Sequence, residues 1–288
     1  MTRKEDRQLY TSRDDLTDPH IEKEMTVLPC VQGEKKRINT AVAGLFKERS
    51  KTSEMQTEYL FGEEILIFEP EEAMSWSQSL KDGYMGYIDT TILSTPTTKQ
   101  THIVSVPRTF LYLQADLRGS VKSALSMGSK ISVVEETEIR GTMYSILENG
   151  QAIVSCHLNP IGYVFEDYVT VAQTFLLTPY LWGGVSGFGI DCSGLVQLSM
   201  MMAGHIVSRD TSMQQKTIGK QLAESDTLQR GDLIFWEGHV AIMVDHINII
   251  HANGHSMNVI IEPLEKAITR IAMMHKYPVA KRRPIQAT

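Results

Sequence analysis

Positive charge is in short supply. The 288-residue chain carries 28 Lys and Arg against 34 Asp and Glu, a net charge of −6. Phosphate backbones are held by clustered cations, so this deficit argues against nucleic acid as the main partner. Cysteine is scarcer still: Cys30, Cys156 and Cys192 are odd in number, far apart and in no CxxC pair, which disfavours a disulfide scaffold and a thiolate zinc site. No stretch approaches the roughly 18 uninterrupted apolar residues of a membrane span. No apolar segment follows the early basic residues either, so no secretory signal is expected. The expectation is a cytoplasmic protein that engages no membrane. What is present is ordinary for a globular chain, 42% hydrophobic and 22% charged, in a length that permits two or three domains of roughly 100 to 150 residues.

Residues 1–22, with four Asp, two Glu and four Lys/Arg, read as a polar arm. From Met25 to about Phe165, β-branched and aromatic runs at 64–69, 86–88, 130–134 and 152–154 are separated by turn residues at Lys81-Asp82-Gly83, Asn149-Gly150 and Asn159-Pro160. This spacing predicts small β-barrels. Two internal likenesses, 62–67 with 128–133 and 86–88 with 162–164, predict two copies of one module of about 65 to 75 residues. The modules are placed at 23–97 and 98–165. Beyond them, 165–177 has helical apolar spacing stopped by Pro179, and a Gly-rich loop at 182–189 leads into an apolar helix ending at Gly204. Strands follow at 232–236, 239–244, 248–252 and 258–262. Residues 166–288 are therefore expected to form an α+β domain.

Three residues in that domain carry candidate chemistry. Cys192 stands where a loop becomes a helix, and a helix start favours a thiolate and binds a developing oxyanion. On position alone, a Cys beside an apolar helix is as a rule a small core residue. His239 and His251 change the weighing. A hairpin turning about Asp245 would place 239 opposite 251, with Cβ atoms roughly 4.5 to 5.5 Å apart. One imidazole could then orient the other, and a thiol packed on that face would complete nucleophile, base and orienter. A one-residue slip would break the arrangement. The remaining histidines have no such partner. The pair His251/His255 flanks Asn253-Gly254, which disfavours the helix that a zinc site of that spacing needs. The loop at 183–189 lacks the Lys-Ser/Thr of a phosphate loop.

The blocks Pro179-Tyr180-Leu181-Trp182-Gly183-Gly184, Gly189-Ile190-Asp191-Cys192-Ser193-Gly194, Gln229-Arg230-Gly231-Asp232, Gly238-His239 and Ile250-His251-Ala252 together resemble the NlpC/P60 cysteine peptidases. The resemblance implies a papain-like catalytic domain at 166–288 with Cys192 as nucleophile, His239 as base and His251 as third polar residue. It places Tyr180 beside the oxyanion, with Asp191 and Ser193 flanking the nucleophile. The preceding region resembles bacterial SH3-type barrels, as in γ-D-glutamyl-L-diamino acid endopeptidases that act on murein peptides. That likeness implies Glu63 and Tyr84 as receivers of a free N-terminal amine, and Asp210 and Ser212, in Arg209-Asp210-Thr211-Ser212-Met213-Gln214, as contacts to the diamino acid or the glutamyl carboxylate. The implied substrate is L-Ala-γ-D-Glu-diamino acid from recycled wall fragments, with no metal or organic cofactor. Two alternatives stay open: a Cys/His amidase or acyltransferase of the same fold, and a non-catalytic wall-fragment-binding protein.

Overall fold

The computed structural model describes residues 32–274 and 277–285; the arm expected at 1–22, the start of the module expected from 23, and Cys30 lie outside them. The first unit comprises β1 (Glu34–Ile38), β2 (Val42–Phe46), β3 (Met55–Leu60), β4 (Glu64–Glu69), β5 (Met74–Ser79), β6 (Met85–Asp89) and β7 (Leu93–Ser94). They pair in the order β3-β2-β6-β5-β4-β1-β7. Period-two alternation builds it: Ile65 and Ile67 of β4 point inward to meet Ile38, Leu45 and Ile88. The turn predicted at Lys81-Asp82-Gly83 joins β5 to β6, with the Gly83 N–H donating to Ser79 O at 3.0 Å.

The second unit repeats the first. Its strands are β8 (His102–Val104), β9 (Arg108–Tyr112), β10 (Val121–Ser126), β11 (Lys130–Ile131), β12 (Val133–Ile139), β13 (Thr142–Leu147), β14 (Ala152–Val154) and β15 (Leu158–Pro160). They form the sheets β10-β9-β14-β13-β12 and β11-β8-β15. β2 starts at Val42 and β9 at Arg108, β3 at Met55 and β10 at Val121, and left-handed turn glycines stand at 62 and 128, a constant offset of 66 residues.

Half of the expected internal likeness moves, however. Residues 162–164 form no strand and are exposed. The counterpart of β6 is β14, because each runs into a 3-10 turn (Thr90–Ile92 and Ser155–His157) and then a short strand. Strand-like composition at Tyr163-Val164 finds no neighbouring ladder to join. Asn159-Pro160 is likewise strand, not turn, and Pro160 stands opposite His102. β15 is an edge strand, where the missing proline N–H leaves no ladder bond unmade.

The third unit holds α1 (Tyr168–Gln173), β16 (Val185–Ser186), β17 (Gly189–Ile190), α2 (Cys192–Met202), α3 (Thr211–Thr217), β18 (Lys220–Gln221), β19 (Leu233–Trp236), β20 (His239–Met243), β21 (Asn248–Asn253), β22 (Asn258–Pro263), α4 (Leu264–Ala272) and β23 (Ala280–Arg283). The main sheet runs β18-β23-β19-β20-β21-β22. Its central strands are unbroken apolar runs because both faces are covered. Leu233, Phe235, Val240, Ile242 and Ile250 pack with α2, while Ile234, Trp236, Ala241, Met243 and Ile249 pack with α4. The helix expected at 165–177 is shorter: from Thr174 to Leu176 the N–H groups bond three residues back, and Leu177 then turns to φ 64 with its N–H on Val259 O at 2.9 Å. Among the described residues, no helix is long and apolar enough to cross a membrane.

The units interlock. The Lys130 N–H donates to Phe61 O at 2.8 Å, and a Cβ at Gly62 would stand 2.0 Å from Lys130 O, so only glycine fits this seam between the two barrels. The second barrel grips the β16–β17 turn: the Gly187 N–H donates to Ser126 Oγ at 2.9 Å and Arg108 Nη1 donates to Gly187 O at 2.8 Å.

Candidate active site

Asp191 is the N-cap of α2 and leaves Cys192 as the first helical residue. Its Oδ1 accepts from the Gly194 N–H at 2.7 Å and its Oδ2 from the Gly183 N–H at 2.9 Å. The Gly-rich loop is thereby strapped to the helix start. Gly194 permits the contact, because a Cβ there would lie 2.3 Å from Gly184 O. The Cys192 N–H lies in the first turn, where no intrahelical acceptor exists. The buried α2 carries the sulfur against β20, and Thr211 Oγ1 sits 4.0 Å from Sγ. Burial and the Asp191 charge push the Cys192 thiol up to about 11, against opposing pulls from the Val240 N–H, Thr211 and Arg209. Tyr180 faces the same sulfur; burial, then the neighbouring Cys192 and Asp191, lift its phenol to about 12.

His239 and His251 meet: Nε2 of His239 and Nδ1 of His251 are 2.8 Å apart. The hairpin is not the one expected. The pairs Ile242↔Ile250 and Met243↔Ile249 centre the turn on 246 instead of Asp245. Extended along the strands, that register puts His251 opposite Ala241 and makes His239 its diagonal neighbour. An offset of two keeps both rings on one face, which an offset of one would not. Asp245 sets the longer turn, with Oδ1 accepting from the Ile247 and Asn248 N–H groups at 2.7 Å each. Burial, reinforced by His251 and Arg270, drives the His239 pKa down to about 3. Both shifts run toward the neutral thiol and the neutral imidazole.

Two further members join this line that the sequence reading did not single out. His251 Nε2 is 2.9 Å from Glu262 Oε1, and Arg270 Nη1 donates to Glu262 Oε2 at 2.7 Å. Glu262 lies one step along β22 on the face of Ile260, which stands opposite His251. Finding it needs the β21–β22 register, and Arg270 comes from α4, which had not been expected.

A cleft of about 440 Å³ opens at Cys192 and collects Tyr84, Tyr180, Asp210, Thr211 and Ser212. Tyr84 Oη donates to both Asp210 oxygens at 3.3 Å. Ser212 is an exposed residue of the wall; Thr211, one position earlier in the same motif, sets its hydroxyl 4.0 Å from the sulfur. Asp191 and Ser193 border the cleft with their polar groups already engaged. Ser193 Oγ donates to Asp191 Oδ1 at 3.2 Å and accepts from Arg209 Nη1 at 2.7 Å. Glu63 is not brought to the cleft. It is buried, accepting from Lys81 Nζ at 2.8 Å and the Leu60 N–H at 3.2 Å. The carboxylate of the first barrel that lines the cleft is Glu54.

Four ties hold the first barrel over the nucleophile. Arg209 Nε donates to Thr57 Oγ1 at 2.8 Å, the Val185 N–H to Glu58 Oε2 at 3.0 Å, Gln197 Nε2 to Asp82 Oδ2 at 2.8 Å, and Tyr84 bonds Asp210 as above.

Residues 177–277 match the NlpC/P60 family, and residues 45–93 match the bacterial dipeptidyl-peptidase Sh3 domain. The chain is 26% identical over 239 residues to dipeptidyl-peptidase 6 of Lysinibacillus sphaericus, covering 76% of this chain and 88% of that one. It is 30% identical over 224 residues to a gamma-D-glutamyl-L-lysine dipeptidyl-peptidase of Bacillus subtilis, covering 71% and 72%. The solved structure of an NlpC/P60 family protein from Bacillus cereus superposes with a TM-score of 0.72 at 21% identity, covering 87% of this chain and 99% of that one, and has the same fold.

Proposed function

The chain belongs to the NlpC/P60 family of cysteine peptidases, and from that premise we propose that it hydrolyses the bond between the γ-carboxyl of D-glutamate and a diamino acid in murein peptides with a free N-terminal L-alanine. The observation that carries this reading is the composition of the cleft end made by the first barrel. Glu54 lines it directly, and Asp210 is held there by Tyr84. The cleft's guanidinium, Arg209, is spent on Asp191. Glu54 is paired loosely with Lys47, at 3.6 Å in an exposed position, and Asp210 is part-buried against Tyr84; two carboxylates at one end of the cleft favour an ammonium group over a neutral one. Glu54 and Asp210, not Glu63, take the amine in this reading.

Catalysis follows from the two neutral groups. The Cys192 S–H gives its proton to His239 Nδ1 as sulfur bonds the γ-carbonyl carbon. The oxyanion is received by the Cys192 N–H and the Tyr180 hydroxyl. The C–N bond then breaks as His239 returns the proton to the leaving amine. Water, deprotonated by His239, opens the thioester and restores the thiol. A requirement for free L-alanine suits wall fragments already released, and so a recycling role in the cytoplasm. The test is incubation with L-Ala-γ-D-Glu-L-Lys, its diaminopimelate analogue and N-acetylated versions, with products identified by mass spectrometry. Release of L-Ala-D-Glu from the free peptides alone is expected. Equal cleavage of acetylated peptides would overturn the substrate assignment, and cell fractionation tests the location.

A further inference from the structure

We propose that Glu262 sets the proton positions of His251 and His239, in competition with Asn253, and is thereby a positioning residue for the base; the inference rests on reading His239 as that base. An ionised carboxylate can only accept hydrogen bonds. Burial raises the proton affinity of Glu262, but hydrogen bonds from Arg270 and His251 outweigh it and hold the pKa near about 2. His251 Nε2, 2.9 Å from Glu262 Oε1, must therefore carry its hydrogen. A neutral imidazole so protonated has a bare Nδ1, and this atom lies 2.8 Å from His239 Nε2. That Nε2 must then be the donor. His239 Nδ1 is left as a lone pair, the form in which the ring can take the Cys192 proton.

The opposite arrangement is also built into the site. Asn253 Oδ1 accepts from the His255 N–H at 3.1 Å, the Ser256 N–H at 2.9 Å and the Ser256 hydroxyl at 3.1 Å. Its amide nitrogen is thus turned toward His251 Nε2, at 3.3 Å. That group can only donate, and a bond from it would strip the hydrogen from His251 Nε2. The relay would reverse, and His239 Nδ1 would be protonated and unable to act as a base. Glu262 prevails because its bond is shorter and charge-assisted, roughly twice as strong as a neutral one. Removing the carboxylate hands the choice to Asn253.

The test combines ¹⁵N NMR of the histidine rings with steady-state kinetics on Glu262→Leu and on Glu262→Leu/Asn253→Asp. In the single variant, the His251 proton is expected to move to Nδ1. The expected fall in kcat is at least about 10-fold, within the roughly 10⁴-fold loss seen when a triad base is held in the wrong tautomer, with KM unchanged. In the double variant, an aspartate at 253 keeps the turn bonds through one oxygen and accepts from His251 Nε2 through the other. The original tautomer and most of kcat are expected to return, which a merely structural role for Glu262 does not provide. An unchanged tautomer in Glu262→Leu, or a double variant no faster than the single, overturns the proposal. Should Glu262→Leu fail to fold, the isosteric Glu262→Gln carries the NMR test: a mixture of tautomers is expected, and the wild-type form alone refutes it. The NMR result needs no substrate. Failure of the substrate assignment would show as wild-type inactivity on every γ-D-glutamyl peptide and leave this test standing.

Discussion

Arg209 and Asp191 form a two-pronged ion pair, Nη1 to Oδ1 at 3.1 Å and Nη2 to Oδ2 at 2.6 Å, with the guanidinium side chain only 2% exposed. Asp191 caps the helix of Cys192, and the same guanidinium reaches Thr57 of the first barrel. One side chain thus couples the nucleophile's position to the wall of its cleft. Removing one partner of a buried pair typically costs about 3–5 kcal/mol. Arg209→Met is expected to lower stability by that order in urea unfolding. Arg209→Lys should recover little, because an ammonium cannot serve two carboxylate oxygens and a hydroxyl in one plane.

Cys192→Ala and Cys192→Ser are expected to abolish peptidase activity, while Cys156→Ala, on an exposed cysteine, keeps it. The Cys192 thiol is pushed up to about 11 and His239 down to about 3, both against a thiolate–imidazolium pair, and none is expected at neutral pH. The rate of Cys192 alkylation by iodoacetamide should therefore climb continuously from pH 6 to beyond pH 9. A plateau near neutrality would count against a neutral resting pair.

Acid should affect His239 in two ways. Its neutral form is the active one and its folded pKa is depressed, so the acid limb of kcat/KM is expected well below pH 6, toward 3. Below the unfolded value of about 6.5, the unfolded chain binds a proton that the folded protein refuses. Stability is fully present above that value and is lost as pH falls toward the folded pKa, by about 1.4 kcal/mol per unit from this group. Urea titrations at several pH values, compared with His239→Gln, should show the slope of this window diminished in the variant.

Two carboxylates of the first barrel should behave oppositely. Glu63→Gln leaves Lys81 buried without its counter-ion, so a loss of about 3–5 kcal/mol in stability is expected. KM of the folded enzyme should be unchanged. Glu54→Gln, on the cleft wall, should barely alter stability and should raise KM for free-amine peptide, as should Asp210→Asn. A higher KM with Glu63→Gln at wild-type stability would return the amine site to Glu63.

Acetylating the substrate amine should lower kcat/KM strongly in wild type and by much less in Glu54→Gln/Asp210→Asn, because the two carboxylates that favour the free amine are then absent. Parallel kinetics on the four enzyme–substrate combinations measure this coupling.

Local pattern decided a good deal of this protein. The apolar helix opening at Cys192, the strand alternation of both barrels, and the placing of His239 and His251 on consecutive strands all follow from periodicities of 3.6 and 2. The hairpin centre moved from 245 to 246, a change of two residues in register, and only because that number is even did the histidines stay on one face. Tertiary structure decided what depends on register and docking. Asp245 gathers the backbone N–H groups of its turn and so makes the histidines diagonal instead of opposed. The β21–β22 pairing carries Glu262 to His251, and α4 brings Arg270 to Glu262. Glu54 and Glu63 are both glutamates beside strands of one barrel. Glu63 is buried against Lys81 of its own barrel, whereas Glu54 lines the cleft that this barrel makes with Cys192 and the 209–212 segment. Which face a residue occupies is set by its neighbours along the chain; which residue it meets there is set by contacts distant in sequence, whose free energy is resolved only when the three units close on one another.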